Sequence, residues 1–342
     1  MSKKNIEAFI KNIPKAELHI HIEGSLEPEL MFKLAQRNKI ELGFKNVKEV
    51  KKAYNFRDLQ SFLNIYYEGA KVLVREQDFF DLTWAYFKRI AEQKVLHAEI
   101  FFDPQAHAGR QVPFKTVIKG IHKACEQART KLGISSKLIM CILRHLSSES
   151  AMKTLKQALP HKEWIAGIGL DSSEMNNPPS KFTTVFDKAR KEGLLLVAHA
   201  GEEGPSDYIK EALDQLKVNR IDHGVQCAKD PDLVRHLAQL KMPLTVCPLS
   251  NIKLRVFKDM KKHNLKKLLD QGLCITVNSD DPAYFGGYVT ENLLATQKAL
   301  NLDKKDIYQL ERNAFESSFL DFPEKQALLK KLARFTEKNG IF

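Results

Sequence analysis

Eight short runs of apolar and β-branched residues recur along the chain, and most intervals between them carry apolar residues at the spacing of a helix. The first run is Glu17 to Glu23. The others are Leu96 to Phe102, Leu138 to Leu143, Ile165 to Leu170, Leu194 to Ala198, Arg220 to His223, Leu244 to Cys247 and Cys274 to Asn278. Ahead of the fifth run, Phe182, Val185, Phe186 and Ala189 form one helical face, and Gly193 suits its C-terminal cap. Pro231 and Asp232 suit the start of another helix, continued by Leu233, Leu237 and Leu240. Eight strands alternating with helices in 342 residues predict an α/β fold, a closed (β/α)8 TIM barrel, rather than two doubly wound sheets. No stretch rich in Pro, Gly or Ser divides the chain, so one barrel domain over residues 1–342 is expected.

The interval between the first two runs breaks the pattern, with roughly seventy residues where a crossover needs far fewer. A helical insertion over roughly residues 28–92 is expected there. Within it Phe56, Leu59, Phe62, Leu63 and Tyr66 have helical spacing, which suits either a lid over the barrel mouth or an extra packing layer.

Composition narrows the class of protein. With 43% hydrophobic residues the chain can bury a large core. It has no apolar run long enough to span a bilayer, and its first residues lack a signal-peptide core, so a soluble, cytoplasmic protein is expected. Five cysteines, Cys125, Cys141, Cys227, Cys247 and Cys274, are odd in number and include no Cys-x-x-Cys. That argues against a disulfide framework and a thiolate zinc site. The net charge of +12 comes from lysines interspersed with acids along helices, as in Lys258 to Lys267. It reads as a solvated basic surface, with neither nucleic acid nor membrane expected as a partner.

Polar residues stand at the ends of most runs: His21, Asp103, Asp171, His199, His223, Asn251 and Asp280. In a barrel of this kind the strand ends converge, and chemistry gathers there. Alternate residues of a strand share a face, so His19 and His21 project together. His199-Ala-Gly-Glu202 adds a third imidazole and a carboxylate one short turn later, and Asp280-Asp281 leaves the eighth run. Three imidazoles and one carboxylate suit Zn²⁺ with water completing the coordination, and such a centre lowers the pKa of bound water toward ~7. Glu202 is then the natural proton donor, and His223 would orient the water or stabilise developing charge.

These residues resemble the adenosine and adenine deaminase family of metal-dependent hydrolases over nearly the whole chain. The resemblance rests on Leu18-His19-Ile-His21-Ile-Glu23-Gly24-Ser25, Gly169-Leu-Asp171-Ser-Ser-Glu174, His199-Ala-Gly-Glu202, Arg220-Ile-Asp-His223-Gly224, Cys247-Pro-Leu-Ser-Asn251 and Ser279-Asp280-Asp281-Pro282. It implies a zinc-bearing barrel with one Zn²⁺ held by His19, His21, His199 and Asp280. It further implies that Glu202 protonates purine N1, that His223 assists the water attacking C6, and that Asp281 contacts the purine. Phe101-Phe-Asp-Pro-Gln105, Asp171-Ser-Ser-Glu174 and Asp281-Pro-Ala-Tyr-Phe-Gly-Gly287 are closest to the adenine deaminase branch. Free adenine carries an N9 proton that a carboxylate can accept, and Glu174 is expected to do so, selecting the base over its nucleoside.

The expected activity is hydrolysis of adenine to hypoxanthine and ammonia, in purine salvage. Adenosine or an N6-substituted adenine is the alternative substrate. A nucleic-acid-binding protein and a non-catalytic purine sensor are the rivals of another class. The first predicts strongly salt-dependent binding, and both predict no ammonia release.

Overall fold

The computed structural model describes residues 3–341. A helix, α1 (Lys3–Asn12), leads into eight parallel strands: β1 (Lys15–His21), β2 (Val95–Phe102), β3 (Ser135–Leu143), β4 (Ile165–Asp171), β5 (Leu195–Ala200), β6 (Arg220–His223), β7 (Pro243–Val246) and β8 (Cys274–Val277). They pair in chain order from β1 to β8. The segment after β8 closes the ring onto β1, where the His21 N–H donates to the Asp280 carbonyl at 3.0 Å and the Asp280 N–H donates to the His19 carbonyl at 3.1 Å. The eight expected strands and the barrel are therefore present.

Boundaries differ in informative places. β5 continues through His199 to Ala200, so His199 belongs to the strand rather than following it. β7 stops at Val246, because Pro248 opens a short helix, Pro248–Lys253, that carries Asn251. The expected helical faces are realised as Thr183–Lys191 and Pro231–Leu240. Asp230 caps the second of these, accepting from the Asp232 and Leu233 N–H groups.

Four helices separate β1 from β2: α2 (Pro28–Asn38), α3 (Val47–Ala53), α4 (Leu59–Ala70) and α5 (Glu76–Glu92). The α5 helix buries Phe79, Leu82, Tyr86, Phe87 and Ile90 against the barrel. The α4 helix starts at Asp58, whose carboxylate accepts from the Ser61 N–H at 2.8 Å. Its Leu59, Phe62, Leu63 and Tyr66 pack with Phe56, Leu254, Tyr284 and Phe285 in a cluster separate from the main core. Close approach requires Gly69 here, since a Cβ would lie 2.6 Å from the Tyr284 hydroxyl.

The barrel interior holds a buried ion pair. Arg220 Nη1 donates to Glu99 Oε2 at 2.5 Å and Nη2 to the Leu18 carbonyl at 2.9 Å, with the guanidinium over the Phe319 ring. Burial alone would raise the Glu99 pKa, but Arg220 and His97 outweigh it and hold the carboxylate ionised. Among the described residues no helix is long and apolar enough to cross a membrane.

Candidate active site

Strand alternation turns His19 and His21 inward from β1, and β5 brings His199 beside them. His21 Nε2 lies 3.2 Å from His199 Nε2, His19 Nε2 lies 3.2 Å from Asp280 Oδ1, and His21 Nε2 lies 3.6 Å from the same oxygen. One ligand atom from each of the four residues lies within 4.8 Å of the other three. The cluster is buried, with exposures from 0% to 6%.

The opposite ring nitrogens face oxygens. His19 Nδ1 is 2.9 Å from Thr245 Oγ1, which donates in turn to Asp222 Oδ1 at 2.8 Å. His199 Nδ1 faces Asp222 Oδ2 at 3.5 Å, and His21 Nδ1 faces Asp171 Oδ2 at 3.6 Å. Protons on these Nδ1 atoms leave three Nε2 lone pairs converging with a carboxylate oxygen, and among the described residues His19 Nε2 has no hydrogen-bond partner. Lone pairs facing one another are unfavourable without a cation between them. Donors ~2.0–2.2 Å from a shared tetrahedral ion lie about 3.3 Å apart, so these spacings fit a metal ion.

Two residues break the strand alternation. His223 and Asp280 hold left-handed backbone, with φ 63° and 64°. As a result the adjacent pairs Asp222-His223 and Asp280-Asp281 place both members at the site. Asp222 pairs in register with His199 on one side and Thr245 on the other. Burial would raise its pKa, but His199, His19 and Arg220 overcome that and hold the carboxylate well below the usual range. Glycine is required at Gly24, where a Cβ would lie 1.9 Å from Asp281 Oδ1.

Glu202 Oε2 lies 3.6 Å from His223 Nε2, and its Oε1 lies 3.5 Å from both Ser250 Oγ and Asn251 Nδ2. Burial and then the charge of Asp280 push the Glu202 carboxyl well above the usual range, toward its protonated form. Burial likewise holds His223 neutral, and Asp281 is raised by burial and Asp280. Asp280 goes the other way: burial opposes ionisation, but His19, His223 and His21 outweigh it.

These groups open onto a cavity of about 420 Å³, its mouth included. Leu59, Phe62, Leu63 and Tyr66 of α4, with Leu254 and Phe285, form its apolar wall. His21, His199, Glu202, His223, Asp280 and Asp281 line the polar side, joined by Asp103, Asp171 and Ser172.

Glu174 is placed otherwise than the sequence reading expects. It is fully buried and is not among the cavity-lining residues. Its Oε2 accepts from the N–H groups of Glu202, Glu203 and Gly204 at 3.0, 3.0 and 2.5 Å, and Oε1 lies 3.7 Å from Arg144 Nη1. A carboxylate engaged in this way braces the turn that carries Glu202 from outside the cavity lining. Sequence reasoning missed Asp222, Thr245 and Ser172. The signal for Asp222 was its place beside His223, hidden because strict alternation puts neighbours on opposite faces.

The sequence model described as adenosine deaminase matches residues 14–335. The chain is 60% identical over 328 residues to an adenine deaminase of Acinetobacter baylyi, covering 96% of this chain and 99% of the relative. It is 61% identical over 323 residues to an adenine deaminase of Crocosphaera subtropica, covering 94% and 99%. The crystal structure of adenine deaminase from Arthrobacter aurescens superposes with a TM-score of 0.94 at 48% identity, covering 95% of this chain and 99% of that one.

Proposed function

The chain belongs to the adenosine deaminase family, and from that premise we propose that it hydrolyses adenine to hypoxanthine and ammonia. The observation that carries this reading is the buried convergence of His19, His21, His199 and Asp280 beside Glu202 at one cavity wall. His19, His21, His199 and Asp280 would hold one Zn²⁺, since a nitrogen-rich set with one carboxylate suits that ion. A bound ion supplies Lewis-acid chemistry that makes water nucleophilic near neutral pH.

The residues around it divide the remaining work. Glu202, kept protonated, donates to purine N1 and draws electron density away from C6. His223, neutral and with both ring nitrogens unpartnered, is free to orient the incoming water and accept its proton as C6 becomes tetrahedral. Asp281 Oδ1, also unpartnered, meets purine N7 once the carboxyl carries its proton. The C6–N6 bond then breaks: the proton His223 took from water passes to the amine, which leaves as ammonia, the proton on N1 stays with hypoxanthine, and the remaining hydroxyl proton at C6 returns to the Glu202 carboxylate as the carbonyl forms. The α4 helix serves as the lid, its aromatic face excluding water from the purine plane. Glu174 contributes by holding the turn of Glu202. Five thiols without a disulfide suit a reducing, cytoplasmic setting.

The test pairs metal analysis with turnover. Purified protein should contain one zinc per chain and convert adenine to hypoxanthine, followed by the ultraviolet change and by released ammonia. Metal-loaded protein that leaves adenine intact refutes the reading.

A further inference from the structure

The cavity holds two further carboxyl groups to which the proposed chemistry gives no contact with the purine, one of them, Asp171, already facing the His21 imidazole. Asp103, just past β2, and Asp171, ending β4, are each 2% exposed and line the cavity. Each is tethered through one oxygen. The Tyr66 hydroxyl, from α4, donates to Asp103 Oδ2 at 3.1 Å, and Asp171 Oδ2 faces His21 Nδ1 at 3.6 Å. The remaining oxygen of each, Oδ1, is buried without a hydrogen-bond partner among the described residues.

The backbone fixes this end of the cavity. The Asp103 N–H donates to Glu23 Oε1 at 3.2 Å, and the same oxygen lies 2.8 Å from His107 Nε2. Glu202 keeps different company, against His223, Ser250 and Asn251. The cavity thus has Glu202 at one place and, beyond His21, two neighbouring carboxyl oxygens without a hydrogen-bond partner among the described residues.

We infer that Asp103 and Asp171 are the receptor for the imidazole-ring N–H of a free purine base, and so the residues that exclude bases substituted at N9. The inference rests on the adenine reading above. With N1 at Glu202 and N7 at Asp281, N9 is the one ring nitrogen of adenine that still carries a proton. Two buried carboxyl groups this close share one proton, so the pair carries a single negative charge, and its acceptor oxygen attracts the N9 proton and has nothing to take from a ring nitrogen without one. A nucleoside offers no proton there, and its sugar carbon would press on both oxygens. The proximity of His21, Asp103, Cys141 and Asp171 admits a second cation as the competing occupant. Cys141 faces an apolar cluster with Phe101, Ile139 and Val197, which disfavours that alternative.

The experiment measures binding of hypoxanthine and 9-methylhypoxanthine to zinc-loaded protein by calorimetry, together with turnover of adenine. Wild-type protein should bind hypoxanthine at least 100-fold more tightly than its 9-methyl analogue. Asp103→Asn and Asp171→Asn should each weaken hypoxanthine binding at least 10-fold, raise KM for adenine more than they lower kcat, and leave the 9-methyl analogue within about threefold. Tyr66→Phe, which frees the tethered oxygen of Asp103, should narrow the discrimination by a smaller factor. Equal binding of the two ligands by wild-type protein overturns the inference, as does an unchanged ratio in both Asn variants. Loss of a second metal equivalent on Asp103→Asn also overturns it, in favour of a cation site. Should an Asn variant fail to fold, the wild-type ratio and Tyr66→Phe still decide. A wild-type protein that discriminates between the ligands yet releases no ammonia overturns the proposed activity alone.

Discussion

Glu174 Oε2 holds the backbone N–H of Glu202 at 3.0 Å, and the same oxygen takes the next two N–H groups of that turn. One buried carboxylate therefore sets the position of another. Glu174→Leu would leave two buried donors, the Glu202 and Gly204 N–H groups, and the half-buried Glu203 N–H without an acceptor, at roughly 1–3 kcal/mol for each buried one. A clear fall in melting temperature and a kcat for adenine at least ~10-fold lower are expected. The preference for adenine over 9-methyladenine should not move, and Glu174→Gln, which restores an acceptor, should recover most of the loss. A changed preference would return Glu174 to a role in base recognition.

Asp222 reaches two of the imidazoles at once, His199 directly and His19 through Thr245. Asp222→Asn removes the charge that orients both rings, and metal affinity is expected to fall by ~10–100-fold. Competition against a chromogenic chelator measures this without recourse to turnover. An affinity within twofold of wild type would rule out the orienting role.

Removing the acid and removing the metal should have separable effects. Glu202→Gln is expected to keep its zinc and its melting temperature while losing ~10²–10⁴-fold in kcat. Chelation of the wild-type protein should abolish turnover and lower the melting temperature, and added Zn²⁺ should restore both. Elemental analysis beside differential scanning fluorimetry distinguishes the two outcomes.

Glu17 sits in β1, fully buried, with Oε2 accepting from the Tyr86 hydroxyl at 2.6 Å and Oε1 accepting from the Ser279 N–H at 3.1 Å. Burial raises its pKa from the ordinary 4.5 to about 7, against the pull of those hydrogen bonds. A carboxyl raised by folding binds its proton more tightly in the native state. Its contribution is therefore full below pH ~4.5 and is lost as pH rises through about 7. At about 1.4 kcal/mol per pH unit between the two values, the loss is on the order of 3 kcal/mol. Glu17→Gln should remove this dependence, so the stability difference between wild type and variant shifts in favour of the variant from pH 5 to 8. Chemical denaturation across that range checks it, and parallel curves would count against it.

The barrel was legible because its strands are short, apolar and regularly spaced, and His19 and His21 were legible because their two-residue spacing alone puts both on one face. That three imidazoles and one member of the Asp280-Asp281 pair would meet followed from strand ends that must converge, and the family resemblance singled out Asp280. What escaped was whatever depends on local backbone departures and on register. The left-handed φ of His223 lets Asp222 share its site, and no run of residues announces it. Glu174 lies three residues past the end of β4, near enough in sequence to read as a ligand contact. Only the fold shows the 202–204 turn arriving to claim its carboxylate. The function of Asp103 was obscured similarly, because its tether, Tyr66, lies on a helix inserted far upstream.

Closure of the barrel through Asp280, hydrogen-bonded to both His19 and His21, bears on how the protein is made. A ribosome exposes the first two imidazoles early, but the carboxylate that joins them emerges only after β8 has been synthesised. An ion picked up by a nascent chain would meet an unfinished set of donors. The four-donor set is complete only when the ring's first and last segments have joined, so its assembly and completion of the barrel coincide.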